Sequence, residues 1–402
     1  MGKEIELSTA ITDIAAGPFG SNLKVECFVP SGFPIIDGAN LKGYKVTDNI
    51  TKFVTEEKAR SLSRSIAHRG DVIVTISGTI GQIAYIPEDS LYDEYLCSQR
   101  QFRVSFDSSM VYVPYLVFYF HTFEGQNKIL SFANQTGVPA LSQPLKNFKK
   151  IRLCLPSLQE QRRIASIVET INDKIENNIK INDNLEQQAQ AFFQELFVDN
   201  ADPEWAIGTI SDLGAVVGGS TPSKAKPEYY TETGIAWITP KDLSVNKSKF
   251  ISHGENDITE LGLKNSSATI MPEGTVLFSS RAPIGYIAVA AGEVTTNQGF
   301  KSIVPKPEIG TAFVYYFLKH NLPIIEGMAS GSTFKEVSGS TMKGVPAVIP
   351  DTDTIARFND FCSPIFAQQR ILEEQNQSLA ALRDDLLPKL MSGEIDVSAI
   401  QL

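Results

Sequence analysis

The sequence predicts an α+β protein with two pseudo-symmetric mixed α/β domains, joined by two long helices that pack as an antiparallel coiled coil. Three observations predict this fold. Segments of the first half recur in the same order in the second half. Each half contains short apolar, β-branched runs bounded by Gly or other turn residues, which are typical of strands. A heptad pattern typical of a long helix follows each mixed region.

Length and composition favour a globular protein of two or three domains. The chain has 402 residues, of which 42% are hydrophobic and 20% charged, and domains rarely exceed 250 to 300 residues. The net charge of −10 argues against a uniformly basic surface. It does not exclude DNA binding, because phosphates require only a local basic stripe.

Cysteines and histidines are scattered along the chain. There is no C-x-x-C pair, which indicates a reducing compartment and no zinc site; the residues are Cys27, Cys97, Cys154, Cys362, His68, His121, His253 and His320. The N-terminus lacks an apolar signal-peptide core, and no run of about 18 apolar residues occurs. We therefore expect a cytoplasmic protein.

The internal repeat keeps its order while its offset drifts slowly. Residues 32–41 echo 234–243 at an offset of 202, and 70–73 echo 274–277 at 204. Residues 115–120 match 313–318 at 198, and 155–156 match 349–350 at 194. Any one match could arise by chance, but four in order indicate a duplicated domain with loop insertions.

The repeat defines four regions. They are a first mixed domain, a central helix, a second mixed domain, and a distal helix with a C-terminal tail, at 1–156, 157–198, 199–350 and 351–402. Strands are predicted at 71–76 and 274–279, and short helices with aromatic faces at 112–123 and 312–321.

Heptad seams predict how the two long helices pack. The seam positions of the first helix recur in the second at an offset of 194; they are Ile164, Val168, Ile171, Ile175, Asn182, Leu185, Phe358, Ile365, Leu372, Asn376, Leu379 and Leu386. Asn182 and Asn376 occupy the same seam position, and each either fixes the register or is a solvated defect. Pro388 predicts an end or a kink.

The helices are long enough to separate two binding heads. About 40 residues at 1.5 Å per residue measure roughly 60 Å, whereas one turn of B-DNA is about 34 Å. Two heads on such a spacer could address two short sites one to two turns apart.

Several segments resemble specificity subunits of type I restriction–modification systems. Residues 141–146 and 151–165, which include Leu-Pro-Ser-Leu-Gln-Glu-Gln-Arg-Arg, are similar to that family's junction between a target-recognition domain and a conserved helix. Residues 189–199 and 379–395 resemble the ends of its two helices. Family-like motifs also occur at 218–223, 297–300 and 331–338. The resemblance covers nearly the whole chain.

The resemblance implies a bipartite, asymmetric DNA site, with one half bound by each target-recognition domain. It implies two modification (methyltransferase) subunits that carry S-adenosylmethionine, and restriction (endonuclease/translocase) subunits that use ATP and Mg²⁺. The chain itself would bind no cofactor and no metal. The family's halves are related by circular permutation, so the C-terminal tail would complete the first unit.

One departure from the family pattern concerns the second helix. It opens with Thr354-Ile355-Ala356-Arg357 instead of Glu-Gln-Arg-Arg, and Leu141–Pro144 replaces the equivalent Val337–Ser340. This puts the docking face for the second partner in doubt.

Candidate DNA contacts are polar residues in loops of both domains, since base edges are read by side chains on a rigid scaffold. In the first domain they are Ser21, Asn22, Lys24, Asn40, Lys42, Ser77, Thr79, Gln99, Arg100 and Gln101. In the second they are Ser220, Thr221, Lys224, Lys241, Asp242, Ser280, Arg281, Gln298, Thr333 and Lys335. Many such residues serve only as turn formers. Arg281→Ala is expected to weaken binding to one half-site by about 1–3 kcal/mol.

Other charged segments have two interpretations each. A basic cluster at the domain–helix junction either touches phosphates or a partner, or is surface charge; it comprises Lys146, Lys149, Lys150, Arg152, Arg162 and Arg163. Glu88, Asp89, Asp93 and Glu94 could suggest a metal site, but a solvated loop is favoured. No G-x-x-x-x-G-K-[ST] loop and no adenine-methyltransferase signature occurs.

Three classes of function therefore remain open. They are a non-catalytic DNA-specificity subunit, a two-headed protein-interaction adaptor without DNA binding, and an enzyme with an unrecognised site. Salt-dependent retention on DNA would separate the first from the second.

Overall fold

The structure is a computed structural model that describes residues 2–134, 137–331 and 335–398. Two compact units make up the chain. The first unit comprises residues 1–174 together with 379–402, and the second comprises 175–378. None of the helices in the described ranges combines the length and the apolar character needed to cross a lipid bilayer.

Within its described residues, the first unit contains ten strands and four short α-helices, and the first long helix begins in it. The strands are β1 (Lys3–Glu6), β2 (Ile11–Ala16), β3 (Phe33–Ile36), β4 (Phe53–Val54), β5 (Ile66–His68), β6 (Val72–Thr75), β7 (Ile83–Tyr85), β8 (Glu94–Cys97), β9 (Gln101–Phe106) and β10 (Arg152–Leu155). The helices are α1 (Glu56–Ser61), α2 (Val113–His121), α3 (Phe123–Leu130), α4 (Pro144–Lys149) and α5 (Leu158–Gln194). A single π-helical turn, Glu195–Asp199, continues α5.

In the part of the second unit that the structure describes there are eleven strands and six short α-helices, and the second long helix begins after them. The strands are β11 (Ala206–Thr209), β12 (Gly214–Gly218), β13 (Tyr230–Thr231), β14 (Trp237–Ile238), β15 (Phe250–Ile251), β16 (Asp257–Ile258), β17 (Val276–Ser280), β18 (Ile284–Ala290), β19 (Thr295–Thr296), β20 (Lys301–Pro305) and β21 (Pro346–Ile349). The helices are α6 (Ile210–Leu213), α7 (Pro240–Val245), α8 (Glu260–Lys264), α9 (Thr311–His320), α10 (Leu322–Gly327), α11 (Gly339–Lys343) and α12 (Thr352–Ser392).

The strand topology repeats between the units. The main sheet of the first unit has the order β2-β9-β6-β7, and that of the second has the equivalent order β12-β20-β17-β18, with β15 added at its edge. A parallel pair lies beside each sheet, β3 with β8 and β14 with β19. An antiparallel pair, β1 with β10 and β11 with β21, recurs as well. The predicted duplication and the predicted fold class are confirmed.

Aromatic helices cover the main sheet in both units. Helix α2 buries seven consecutive residues from Pro114 to Phe120, and α9 buries seven from Ala312 to Leu318. In the first unit, the core that contains α2 also includes Leu387 and Leu390 of α12 and Val397 of the C-terminal tail. The C-terminal tail thus completes the first unit.

The two long helices run antiparallel within each unit. In the first unit, Arg383 of α12 donates a hydrogen bond to the side-chain oxygen of Asn172 of α5 at 3.1 Å. In the second unit, the rings of Phe192 and Phe358 stack with their centroids 6.0 Å apart. The residue numbers rise along one helix as they fall along the other. Of the two outcomes predicted for Pro388, an end or a kink, the end is wrong, because helix α12 continues past Pro388 to Ser392; proline removes one backbone donor there without stopping the helix.

Polar residues interlock in the helix pair of the second unit. Asn178, fully buried, donates a hydrogen bond to the side-chain oxygen of Asn376 at 2.8 Å. Asn182 instead accepts a bond at its backbone oxygen from Gln369 at 3.2 Å. Asn182 and Asn376 are equivalent in the repeat, yet they make different contacts. The partner of Asn376 is Asn178, and the residue equivalent to Asn178 in the second helix is Leu372, which has no polar side chain to offer Asn182.

A buried charge network attaches the mixed domain of the second unit to its helices. The Lys249 ammonium, whose side chain is 5% exposed, lies 2.5 Å from a carboxylate oxygen of Glu186 in α5. It also donates to Gln369 of α12 at 2.6 Å. Glu186 accepts from Lys319 at 2.6 Å and from the Tyr316 hydroxyl at 2.8 Å. Burial acts to raise the pKa of Glu186, but Lys249 and Lys319 outweigh it and lower that pKa to about 2.

The opening of α5 is held by a motif glutamine. Gln161 is fully buried; it accepts from the backbone N–H of Tyr112 at 2.8 Å and donates to the carbonyls of Met110 and Pro156, both at 3.0 Å. The equivalent residue in α12 is Ile355, which is 2% exposed. An apolar side chain therefore fills, in the second unit, the position that hydrogen bonds secure in the first.

Candidate nucleic-acid interface

An open cleft of about 620 Å³ lies at the ends of β3, β6 and β8 in the first unit. We name it the first cleft. Its polar lining comes from the β6–β7 and β8–β9 turns with the adjoining ends of β6 and β9, and from the residues just after β3 and just before β4. These side chains are Asp37, Lys52, Thr75, Ser77, Thr79, Gln82, Ser98, Gln99, Arg100 and Gln101. The turns are fixed to each other, because the backbone N–H of Ile76 donates to the carbonyl of Arg100 at 2.6 Å.

The second unit carries a cleft of about 690 Å³ at the equivalent strand ends, which we name the second cleft. Its lining side chains are Thr221, Lys224, Tyr230, Trp237, Thr239, Pro240, Lys241, Glu255, Asn256, Arg281, Asn297 and Gln298. The same backbone clamp is present, since the N–H of Ser280 donates to the carbonyl of Gly299 at 2.7 Å. Duplication has therefore kept the cleft and replaced its side chains.

Half of the predicted first-domain contacts line the first cleft. They are Ser77, Thr79, Gln99, Arg100 and Gln101. Asn22, Lys24 and Lys42 are exposed but lie outside the lining, and nothing is described of the Ser21 side chain. The structure thus gathers residues from two turns that are 20 or more positions apart in sequence.

Two of the first-domain candidates are committed to internal bonds. Asn40 is 4% exposed; its side chain accepts from the N–H of Asp37 at 3.0 Å and donates to the carbonyls of Thr47 and Asn49. Gln101 is 1% exposed and bonds with Ser98. Both residues were expected to be accessible to DNA, but both are buried. Their side chains stabilise the wall of the cleft instead.

Half of the second-domain candidates likewise line the second cleft. They are Thr221, Lys224, Lys241, Arg281 and Gln298. Lys335 is exposed outside the lining, and Thr333 falls outside the described residues. The polar side chains of Thr221 and Gln298 hydrogen-bond to each other across the cleft wall.

Three second-domain candidates have structural partners. Asp242 forms a capping box at the start of α7, accepting from the N–H and hydroxyl of Thr239 at 2.7 and 2.6 Å. Ser280 is fully buried and donates to the carbonyl of Gly299. Ser220 accepts from the N–H of Ser267 at 3.3 Å. Their sequence signal, a small polar residue in a turn, is shared by caps and by contacts, so sequence alone cannot separate them.

Charges in the two clefts are only partly neutralised. In the first cleft, Lys52 and Asp37 pair at 2.6 Å; burial acts to raise the pKa of Asp37, but the bonds from Lys52 and from the N–H of Ala39 lower it overall. Arg100 is exposed and forms no ion pair within the described part of the chain. In the second cleft, Lys241 pairs with Glu255 at 2.5 Å, and Lys224 stays without an ionic partner among the described residues.

Aromatic residues of the second cleft were not among the sequence candidates. The Trp237 indole N–H donates to the carbonyl of Ser220 at 2.9 Å, and its ring lies edge-on to Tyr230 at 5.6 Å. Trp237 is 6% exposed and Tyr230 is half-buried, so the two rings form part of the cleft wall. The repeat could have identified Trp237, because it falls at the position of Ile35, where an aliphatic strand residue is expected and a tryptophan is unusual.

The basic cluster at the start of α5 is mostly exposed. Lys146, Lys149, Lys150, Arg152 and Arg162 are exposed, and Arg163 is half-buried. The Arg162 guanidinium lies over the ring of Tyr112, 4.7 Å from its centroid. The cluster therefore presents five exposed cationic side chains at the domain–helix junction.

The acidic cluster of the first unit contains side chains bound to arginines. Glu94 accepts two hydrogen bonds from Arg60, at 3.0 and 2.5 Å, and Asp93 lies 3.0 Å from Arg69. Within residues 2–134, 137–331 and 335–398, no group of three or more His, Cys, Asp and Glu side chains could hold a metal ion.

Comparison with known proteins identifies the family. The model of the type I restriction modification DNA specificity domain matches twice, at residues 29–187 and 203–381. A type I restriction enzyme MjaIX specificity subunit from Methanocaldococcus jannaschii is 39% identical over 191 residues, which are 45% of this chain and 44% of the relative. The chain thus spans less than half the length of that relative.

Two further likenesses extend over most of the chain. The HindI specificity subunit of Haemophilus influenzae is 23% identical over 78% of this chain and 84% of its own length. The crystal structure of a type I S subunit from M. genitalium superposes with a TM-score of 0.61 at 15% identity, over 96% of this chain and 95% of that one, which shows a shared fold. Specificity subunits are the non-catalytic DNA-recognition components of type I systems. With the domain model matched in both halves and the duplicated topology in place, the chain belongs to the specificity-subunit family of type I restriction–modification systems.

Proposed function

We propose that this chain binds a bipartite, asymmetric DNA site, with one half-site in each cleft. The observation that carries the proposal is that the two units keep the same cleft at the same strand ends while its side chains differ. Conserved architecture with different linings supports two reading heads of different specificity, because base identity is read by side chains whereas the backbone only positions them.

The contacts proposed for DNA are the accessible polar residues of the clefts. They are Ser77, Thr79, Gln99 and Arg100 in the first cleft, and Thr221, Lys224, Lys241, Arg281 and Gln298 in the second. Asn22, Lys24, Lys42 and Lys335 are proposed as outlying contacts. The mixed charge of both clefts supports binding through a limited number of phosphate contacts, with specificity drawn from base edges.

The proposed assembly contains two modification subunits and the restriction subunits, and it acts on DNA in the cytoplasm. S-adenosylmethionine is proposed to be bound by the modification subunits, and ATP and Mg²⁺ by the restriction subunits. The long helices are proposed as a spacer between the half-sites.

Mapping of methylated adenines in the source genome tests this proposal. We expect a motif of two short half-sites separated by an unread gap, and we expect that motif to disappear when the gene for this chain is deleted. A methylation pattern that survives deletion would contradict the proposal. Purified chain that shows no salt-dependent retention on duplex DNA would favour the two-headed protein adaptor instead.

A further inference from the structure

One ionic pair distinguishes the second cleft from the first. Arg281, at the end of β17, forms a β-bridge with Glu336, and the equivalent bridge of the first unit joins Ser77 to Ala140. The arginine and the acid are therefore both present in one copy of the repeat and both absent from the other. At these equivalent positions the charged pair therefore belongs to the second unit and has no counterpart in the first.

The carboxylate of Glu336 is placed between two cations. One of its oxygens lies 3.5 Å from a guanidinium nitrogen of Arg281, and the other lies 3.5 Å from the ammonium of Lys301. The backbone of Glu336 exchanges both hydrogen bonds with Ser330, at 3.1 and 2.9 Å. Lys301 is only 15% exposed, whereas the Arg281 side chain is 36% exposed. The partly buried Lys301 thus holds the carboxylate of Glu336 in place, and that carboxylate restrains Arg281, whose side chain lines the second cleft.

We propose that Arg281 reads a guanine of the second unit's half-site and that Glu336 is the positioning residue that orients its guanidinium. This inference rests on the proposed function. Guanine presents two acceptors, O6 and N7, in the major groove, which match the two parallel donors of an arginine. A neighbouring carboxylate favours this role over a phosphate contact, because it offsets the charge that attracts phosphate while leaving the donors in a fixed direction.

The first cleft supplies an internal control. Its arginine, Arg100, extends from the β8–β9 turn, and the residue at that place in the second cleft is Gln298. Arg100 has no carboxylate partner among the described residues, and it extends from a different turn of the repeat than Arg281 does. Substitution of Arg100 should therefore leave the preference of the second half-site unchanged.

The test measures binding of duplexes that carry each base pair in turn at every position of the second half-site. The protein is the complex of this chain with its modification subunits, isolated from source cells at defined salt concentrations. Arg281→Lys keeps the positive charge but removes the two parallel donors of the guanidinium. We expect it to reduce discrimination for G·C at one position by roughly 5- to 150-fold, with the salt slope unchanged and all other positions unaffected.

Glu336→Gln tests the positioning role. Without the carboxylate, Arg281 is free to reach phosphates, so we expect binding to unrelated DNA to strengthen and the slope against salt to steepen, while G·C discrimination falls. A merely structural role for Glu336 would move neither the non-specific affinity nor the salt slope in that direction. Glu232→Gln is the matched control, because Glu232 is an exposed acid of the second unit that lies outside the cleft lining; it should leave both the G·C discrimination and the salt slope unchanged.

The possible failures are distinct. If the wild-type complex shows no preference at any position, the proposed function itself fails. If the wild-type complex is specific but Arg281→Lys retains full discrimination, or loses affinity equally for every sequence, Arg281 is not a base reader and this inference is overturned. Thermal unfolding of each variant at the wild-type temperature excludes misfolding as the cause of a loss.

Discussion

Among single residues, Lys249 is unusual because its charged side chain is almost completely buried. Its ammonium is buried among Glu186, Gln369 and the rings of Tyr315 and Phe366, at 4.8 and 4.2 Å from the ring centroids. Burial lowers the pKa of Lys249, and Glu186 opposes this shift. A buried charge is tolerated only while it is paired, so the contribution of the pair depends on both members being present.

We expect Lys249→Met to destabilise the second unit by about 3 kcal/mol, because removal of one partner leaves Glu186 buried with only part of its compensation. Both tryptophans of the chain, Trp205 and Trp237, lie in this unit, so fluorescence during urea unfolding reports on it. Lys264→Met is the control at an exposed lysine of the same unit. Equal stabilities of the two variants would show that the network contributes nothing.

The same network predicts a pH dependence. The pKa of Glu186 is lowered to about 2 from an ordinary 4.5, so its stabilising contribution is complete above pH 4.5 and is lost as the pH falls towards 2. We expect the unfolding free energy of the wild type to fall over this window by about 3 kcal/mol more than that of Glu186→Gln. Burial raises the pKa of Glu373, which acts with the opposite sign in both proteins. The Glu186 carboxylate adds to that rise, so Glu186→Gln removes this part and the difference between the two proteins is correspondingly smaller.

Site residues were only partly predictable from sequence, for a physical reason. Arg281 and Arg100 were recognisable because an arginine in a turn has few structural uses. Asn40, Asp242 and Ser280 carried the same turn signal but satisfy buried backbone groups. The difference depends on which carbonyls and N–H groups fold against them, and those lie up to 19 residues away in sequence.

At the scale of elements, the helix pair of the second unit contains a buried amide pair. Asn178→Leu alone should cost about 1–3 kcal/mol, because it leaves the amide of Asn376 without its partner in the seam. The double variant Asn178→Leu with Asn376→Leu should recover most of that loss, since both polar groups are then replaced by apolar packing. A double-mutant cycle in urea measures the coupling.

The neighbouring residue supplies the control for this cycle. Asn177 is exposed on the same turn of α5, and Asn177→Leu should change stability by no more than about 0.5 kcal/mol. A double variant that is as unstable as the sum of its single variants would contradict direct coupling between Asn178 and Asn376.

Heptads and strand patterns predicted the elements well, because hydrophobic periodicity is a local property that burial enforces. The partner of each seam residue was not predictable in the same way. Asn182 and Asn376 share a repeat position, but Asn376 bonds with Asn178, one turn away along α5. Which carbonyl or amide a seam asparagine meets depends on the axial register of the opposite helix, and a heptad pattern is compatible with several registers.

At the scale of the whole molecule, the chain is duplicated and permuted, so that the first unit takes residues from both ends of the sequence. The resemblance to type I specificity subunits implied this arrangement, because the two halves of that family are related by a circular permutation. The core of the first unit shows the consequence: Leu7 and Val397 are both nearly inaccessible to solvent and belong to one hydrophobic cluster.

Removal of residues 393–402 should therefore destabilise the first unit and spare the second. Val397 is 3% exposed and packs in a cluster with Leu387 and Leu390, and loss of one buried valine side chain alone costs about 1.5–3 kcal/mol. We expect hydrogen exchange to accelerate in β1 and β10, with no change in the strands of the second unit. Val397→Ser, which preserves chain length, should reproduce the direction of the effect. Unchanged exchange in β1 and β10 after truncation would show that the first unit is complete without the tail.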